Sequence, residues 1–213
     1  MEIMQIFQKI CDQSVYSYQN QIVNGYITIK GGHRVGLTGD VVVENGKIIN
    51  IRYISSLNFR IAHQILDCSN SILRYILDIQ RNQIYNTLIV SSPGAGKTTL
   101  LKDLVRKISS GIPEIYFHGL NVSVVDERGE IAAMYQGEPQ NDIGTRTDVL
   151  ENITKPLGIK MALRSMAPQV IIADEIGKSE DVQAIEYAIC SGVKGVFSAH
   201  GNSLEEILSN SEL

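Results

Sequence analysis

The stretch Ser91-Ser92-Pro93-Gly94-Ala95-Gly96-Lys97-Thr98-Thr99 follows a short apolar run, Leu88-Ile89-Val90, and leads into an amphipathic one. Its spacing is that of a phosphate-binding loop, G-x-x-x-x-G-K-[ST], which needs a strand before it and a helix after it. Such a loop aims consecutive backbone N–H groups and a helix N-terminus at the α- and β-phosphates of a nucleotide. Gly94 and Gly96 would let the backbone come close, with no Cβ in the way. Lys97 would reach the β- and γ-phosphates, and Thr98 would ligate Mg²⁺. Ser91 stands where the pattern has its first glycine.

Three further segments carry chemistry at the ends of apolar runs. Val170-Ile171-Ile172-Ala173 closes on Asp174 and Glu175. Asp174 would orient the Mg²⁺ shell, and Glu175 would polarise an attacking water. Val124-Val125 leads into Asp126-Glu127-Arg128-Gly129-Glu130. One carboxylate there would stand near the γ-phosphate, and residue type does not choose among Asp126, Glu127 and Glu130. Ser198-Ala199-His200 ends a fourth run and places His200 as a γ-phosphate sensor.

These groups need a scaffold, and the rest of the chain reads as one. From Thr87 on, apolar runs alternate with helical patterns: strands at Thr87–Val90, Val122–Val125, Val170–Ala173 and Gly195–Ser198, helices at Thr98–Ser109, Leu157–Met166, Ser179–Ser191 and Ser203–Leu208. That rhythm predicts a mostly parallel sheet covered by helices. The front piece differs. Ile3, Ile6, Phe7 and Ile10 have helical spacing. Tyr26–Ile29 reads as a strand, and Asn45-Gly46 between β-rich runs predicts a hairpin. Leu57–Ile61 reads as a last strand, and Ile65, Cys68, Ile72, Ile76 and Ile79 form a helical stripe ending near Arg81. The expected organisation is a small α+β domain with a linking helix over 1–82 and an α/β nucleotide core over 83–213.

Composition narrows the classes. In 213 residues, 44% are hydrophobic and 20% charged, which excludes a disordered chain. No apolar run approaches the roughly 18 residues needed to span a bilayer, so no transmembrane segment is expected. Nor does the start read as a signal peptide. Cys11, Cys68 and Cys190 are odd in number, have no metal spacing, and read as reduced thiols. The net charge of −4 conceals a split. Residues 1–90 hold 8 Lys/Arg against 6 Asp/Glu, and residues 91–213 hold 11 against 17. A mildly basic front and an acidic back suggest two units that face one another or share an anionic ligand. No basic–aromatic stripe is present, so direct nucleic-acid binding is not expected.

Phosphate loop, DERGE, LRSMAPQVIIADEIG and AHGNSLEEI together, in that order, resemble the secretion ATPases of type II and type IV systems. There the four segments are Walker A, Asp box, Walker B and His box. GYITIKGGHRVGLTG, SSLNFRIA, VVDERGEIAAMYQG and the span from Asp148 to Glu206 are similar in particular to a branch of that family acting in sporulation. The resemblance implies a RecA-like core behind a small PAS-like domain. It implies ATP and Mg²⁺ as cofactors, with Glu130 or Asp126 as the catalytic acid of the Asp box. It also implies that Arg34 and Arg60 reach a nucleotide, with Arg146 and Arg164 as further candidates. Such proteins form homo-oligomers, hexameric rings that turn hydrolysis into motion. This chain would then be cytoplasmic, docked on membrane-embedded sporulation channel proteins between mother cell and forespore. A nucleotide-gated scaffold that barely hydrolyses, or a nucleic-acid-stimulated ATPase, are the alternatives. Against the family pattern the chain is expected to be short at both ends, with a truncated core.

Overall fold

The computed structural model describes residues 3–12, 14–202 and 206. The chain divides into two compact units, one of Met1–His63 with Ala133–Gln140, the other of Gln64–Ala132 with Asn141–Leu213.

The first unit is a three-stranded antiparallel sheet, β1 (Tyr26–Ile29), β2 (His33–Glu44) and β3 (Lys47–Arg60), in that order. The hairpin between β2 and β3 turns at Asn45 and Gly46, whose φ angles of 50° and 73° are the left-handed pair that this turn requires. The segment at Leu57–Ile61 is the far end of β3, not a separate strand. Helix α1 (Ile3–Ile10) and the short α2 (Gln19–Val23) pack against the sheet. Their apolar faces meet strand residues in a core of Phe7, Cys11, Tyr18, Ile22, Ile27, Leu37 and Ile54. Residues 133–140 join this unit as a small hairpin that pairs Met134 with Pro139. The Gly31 amide donates to Gln140 Oε1 at 2.8 Å, and the Tyr135 hydroxyl to Asp12 Oδ2 at 3.3 Å.

The second unit holds a five-stranded parallel sheet. Its strands are β4 (Thr87–Ser91), β5 (Val122–Asp126), β6 (Thr147–Glu151), β7 (Val170–Ile176) and β8 (Lys194–His200). The spatial order is β6-β5-β7-β8-β4, so β8 separates the phosphate-loop strand from the strand bearing Asp174. Helices α3 (Lys97–Ser110), α4 (Lys155–Ser165) and α5 (Ser179–Cys190) cover it. On α3, Leu101, Leu104, Val105 and Ile108 are fully buried, at the i, i+3, i+4, i+7 spacing of a core-facing stripe. Strand β6 was not expected. It is an edge strand, Thr147-Asp148-Val149-Leu150-Glu151, and only Val149 and Leu150 mark it.

The helical stripe expected over 65–81 does not form. The stretch makes turns, one helical turn at Leu73–Ile76 and a two-residue ladder of Leu77–Asp78 with Gln83–Ile84. A buried carboxylate overrides the local pattern. Asp103 on α3 accepts the Asp67 and Ser69 amides at 3.0 and 2.9 Å and the Ser69 hydroxyl at 2.6 Å. Asp67 itself takes a left-handed φ of 64°, which a helix forbids. Residues 64–82, expected with the front piece, therefore belong to the second unit. The helix expected at Ser203–Leu208 lies, apart from Glu206, outside the described residues.

Candidate functional site

All the chemistry-bearing segments of the second unit end at one edge of the parallel sheet, the carboxyl ends of its strands. This is where open α/β sheets bind ligands. Ser91 on β4 is in register with His200 on β8, and Val90 with Ala199. Between β7 and β8 the register slips between Ala173 and Ile176, so Asp174 and Glu175 sit on a bulge. Glu175 there has a φ of 51°, the left-handed region that a residue with a Cβ rarely adopts.

The loop from Ser92 to Gly96, including Pro93 and Ala95, is exposed, and α3 begins at Lys97. Gly94 and Gly96 have φ of 75° and 93°, conformations that glycine adopts freely. Thr98 and Thr99 lie in the first turn of the helix. The Lys97 ammonium is buried and folded back onto its own loop. It donates to the Ser91 carbonyl at 2.7 Å, the Ser92 carbonyl at 3.0 Å and His200 Nδ1 at 3.0 Å. The Ser91 hydroxyl lies 3.3 Å from it, a contact that glycine cannot supply.

Glu175 and His200 complete the cluster. His200 Nε2 is 3.3 Å from Glu175 Oε1, and Arg128 Nη1 meets Glu175 Oε2. The Glu175 amide donates to Ser198 Oγ at 3.0 Å. Asp174 is 1% exposed, and its Oδ2 has no hydrogen-bond partner. Burial, then the negative charges of Asp126, Glu175 and Glu130, push its carboxyl up to about 7, against a smaller pull from Lys155. A buried carboxylate crowded by others favours a cation beside it.

The structure separates the three acids left open by residue type. Asp126, fully buried, accepts the amides of Glu130, Ile131 and Ala132 at 2.8, 2.9 and 2.9 Å. Its carboxylate ties down the turn that follows β5. Asp126→Ala leaves three donors without that acceptor, so a loss of stability on the order of 3 kcal/mol is expected in denaturant unfolding. An unchanged midpoint would show that the turn holds without the clamp. Glu127 is paired with Lys155, itself buried at the start of α4. Glu130 stands near enough to Asp174 to disfavour its ionisation.

Glu127, Lys155, Arg128, Glu175, Lys178 and His200 border a cleft of about 660 Å³. Arg128 and Lys155 were not foreseen as site residues. The only sequence signal for them is opposite charge in segments far apart along the chain. Arg146 lies elsewhere in this unit. Its backbone N–H donates to Ser109 Oγ at 2.6 Å and its guanidinium to the Ser109 carbonyl at 3.2 Å, at the far end of α3 from Lys97. Twelve residues of helix put that end about 18 Å from the loop. Arg164 is exposed near the end of α4. In the first unit, Arg34 and Arg60 are direct cross-strand partners in β2 and β3, and Arg34 lies over the Tyr26 ring at 4.4 Å.

Comparison with known proteins adds the family. The description "Sporulation stage III, protein AA" matches residues 1–213. The chain belongs to that family. It is 42% identical over 208 residues to stage III sporulation protein AA of Bacillus subtilis strain 168, covering 98% of this chain and 66% of that protein. The chain thus spans just under two thirds of that relative's length. Among solved structures it is similar to the ATPase DotB of Legionella pneumophila, at 17% identity and a TM-score of 0.53, over 83% of this chain and 45% of that one. DotB of Yersinia pseudotuberculosis matches at 13% identity and a TM-score of 0.50, over 95% and 54%. This family member therefore has the RecA-like α/β fold of secretion ATPases, with a small antiparallel domain in front. Among the described residues no helix is long and apolar enough to cross a membrane.

Among the described residues, too, no three His, Cys, Asp or Glu side chains are grouped to hold a metal by themselves. Mg²⁺ in nucleotide sites keeps several waters and binds through one or two protein oxygens plus substrate phosphates. The orphaned Asp174 Oδ2 and the glycine-lined helix N-terminus fit a metal-bound polyphosphate.

Proposed function

We propose that this chain is an Mg²⁺-dependent ATPase of the secretion type acting in sporulation. The observation that carries the reading is the meeting of Lys97, His200 and Glu175 at one sheet edge, beside an Asp174 oxygen that lacks a partner. The loop amides and Lys97 would bind the phosphates, with Lys97 exchanging loop carbonyls for phosphate oxygens. Thr98 and Asp174 would hold Mg²⁺. When bound, that ion offsets the charge developing on the phosphoryl oxygens. Glu175 would orient the attacking water and accept its proton, and His200 would report on the γ-phosphate. Glu130, close enough to Asp174 to act on its charge, would serve as the Asp-box acid, with Asp126 holding the turn that carries it.

Arg34 and Arg60 would supply further positive charge to a nucleotide in the assembled state. As cross-strand partners in β2 and β3 they bring two positive charges to one place on the sheet. The assembly would be a homo-oligomeric ring, of six copies as in the secretion ATPases it resembles, docked in the cytoplasm on membrane-embedded channel proteins. Hydrolysis would drive motion that powers or builds a channel between mother cell and forespore.

The test is Glu175→Gln, which keeps size and removes the base. ATP turnover should fall about 10²- to 10⁴-fold while a fluorescent ATP analogue still binds. Binding without turnover in the unaltered protein would instead support a nucleotide-gated scaffold.

A further inference from the structure

Arg128 has so far been only a neighbour of Glu175, yet its placement is specific. The turn that carries it is pinned by the Asp126 carboxylate holding residues 130–132. Within the turn Gly129 takes a φ of 63°, and its amide donates to the Asp126 carbonyl at 3.1 Å. From this rigid turn the guanidinium reaches across to Glu175 Oε2.

The opposite carboxylate oxygen is taken as well. Lys97 donates to His200 Nδ1, so Nδ1 must carry a lone pair and the ring proton must sit on Nε2. That proton points at Glu175 Oε1, 3.3 Å away. A continuous polar chain therefore runs Lys97–His200–Glu175–Arg128. With a donor on each oxygen, the Glu175 carboxylate is held in one orientation, and the Lys97 ammonium is bonded to loop carbonyls rather than to a ligand.

We propose that Arg128 restrains Glu175 in this resting posture, and that nucleotide capture by Lys97 releases the other end of the chain. The proposal rests on the ATPase reading above. It makes Arg128 a positioning residue, acting through Glu175. The sequence of events is set by the contacts. Phosphate draws the Lys97 ammonium from His200 Nδ1, and the imidazole, no longer anchored on that side, can turn away from Glu175 Oε1. Arg128 then remains as the last hold on the base. Its side chain is 59% exposed, so solvent, salt or an anionic group of another subunit can draw it off. The bulged, left-handed backbone at Glu175 persists only while its surroundings hold it. Loss of a hold should therefore show in the backbone itself.

The experiment compares the full chain with Arg128→Ala and Arg128→Lys. Hydrogen exchange is followed in the nucleotide-free protein over residues 174–177, alongside steady-state ATP turnover. For an ion pair this exposed, Arg128→Ala should raise exchange in that segment about two- to fivefold. The kcat should rise by a similar factor at unchanged KM, and Arg128→Lys should restore most of the restraint. Added salt should speed the unaltered protein and leave Arg128→Ala unmoved. Unchanged exchange in Arg128→Ala would overturn the restraint. So would a fall in kcat, which would mean that Arg128 aids Glu175. Faster exchange with no turnover in any of the three proteins would uphold the restraint and sink the ATPase reading alone.

Discussion

Replacing Lys97 with alanine should lower ATP turnover about 10²- to 10³-fold, the cost of deleting one preorganised group that meets developing charge. The geometry says why no neighbour substitutes. Lys97 is the cation at the start of α3, and its ammonium is already at the loop, bonded to the Ser91 and Ser92 carbonyls. It needs only a short swing to exchange those oxygens for phosphate. Nucleotide affinity should fall too, since a charge-assisted hydrogen bond is about twice as strong as a neutral one. Stability should change little. The loop carbonyls that lose a donor belong to Ser91, which is half-buried, and Ser92, which is exposed, so water can replace the ammonium. Phosphate release and calorimetric nucleotide titration on the purified variant would settle the matter. Hydrolysis at the unaltered rate would remove this lysine from the chemistry.

Asp174→Asn should separate ligand binding from stability. Asp174 is buried, lacks a partner for Oδ2 and faces three other carboxylates. Its folded-state carboxyl is pushed from 3.8 up to about 7. The folded protein thus holds this proton more tightly than the unfolded chain does. The associated stability is complete below pH 3.8 and is lost as the pH rises to about 7. A displacement of that size corresponds to about 4 kcal/mol. The asparagine is neutral throughout and escapes the loss. At acid pH, variant and unaltered protein should melt alike. By pH 8 the nucleotide-free variant should melt higher, by on the order of 10 °C. Mg²⁺-dependent nucleotide binding should meanwhile be lost. Melting curves at several pH values, with and without Mg²⁺-ATP, test both halves. A variant that melts lower at pH 8 would refute the cost of the buried charge. This is the pattern expected where a fold gives up stability to keep a ligand site.

The parts of the fold that could be read from sequence are those in which local pattern and final packing agree. Val170–Ala173 is apolar at every position because it is buried on both faces, and α3 shows its buried stripe directly. The phosphate loop is legible because glycine spacing is itself the geometry. Elsewhere a distant group decides. Ile65 to Ile79 has helical spacing, yet Asp103, more than thirty residues on, binds the backbone of 67–69 into turns. Asp126 looks like a catalytic acid by type and place, and nothing in its own segment announces that its carboxylate holds three backbone amides. Arg128 and Lys155 are ordinary exposed-looking charges in sequence. Their partners, Glu175 and Glu127, become neighbours only when parallel strands align.

The hairpin at 133–140 has a consequence for synthesis on the ribosome. The chain leaves the first unit at residue 63, returns at 133 and leaves again at 140. Gly31 waits for Gln140 as its acceptor. Gly32, at a φ of 75°, is a position where a Cβ would come within 2.9 Å of Ala133 Cβ. The N-terminal unit emerges first, but its last eight residues are translated only after the phosphate loop and its helix. Vectorial synthesis therefore cannot finish the first unit before much of the second exists. A gene fragment cut at residue 63 would encode a unit lacking one of its own hairpins.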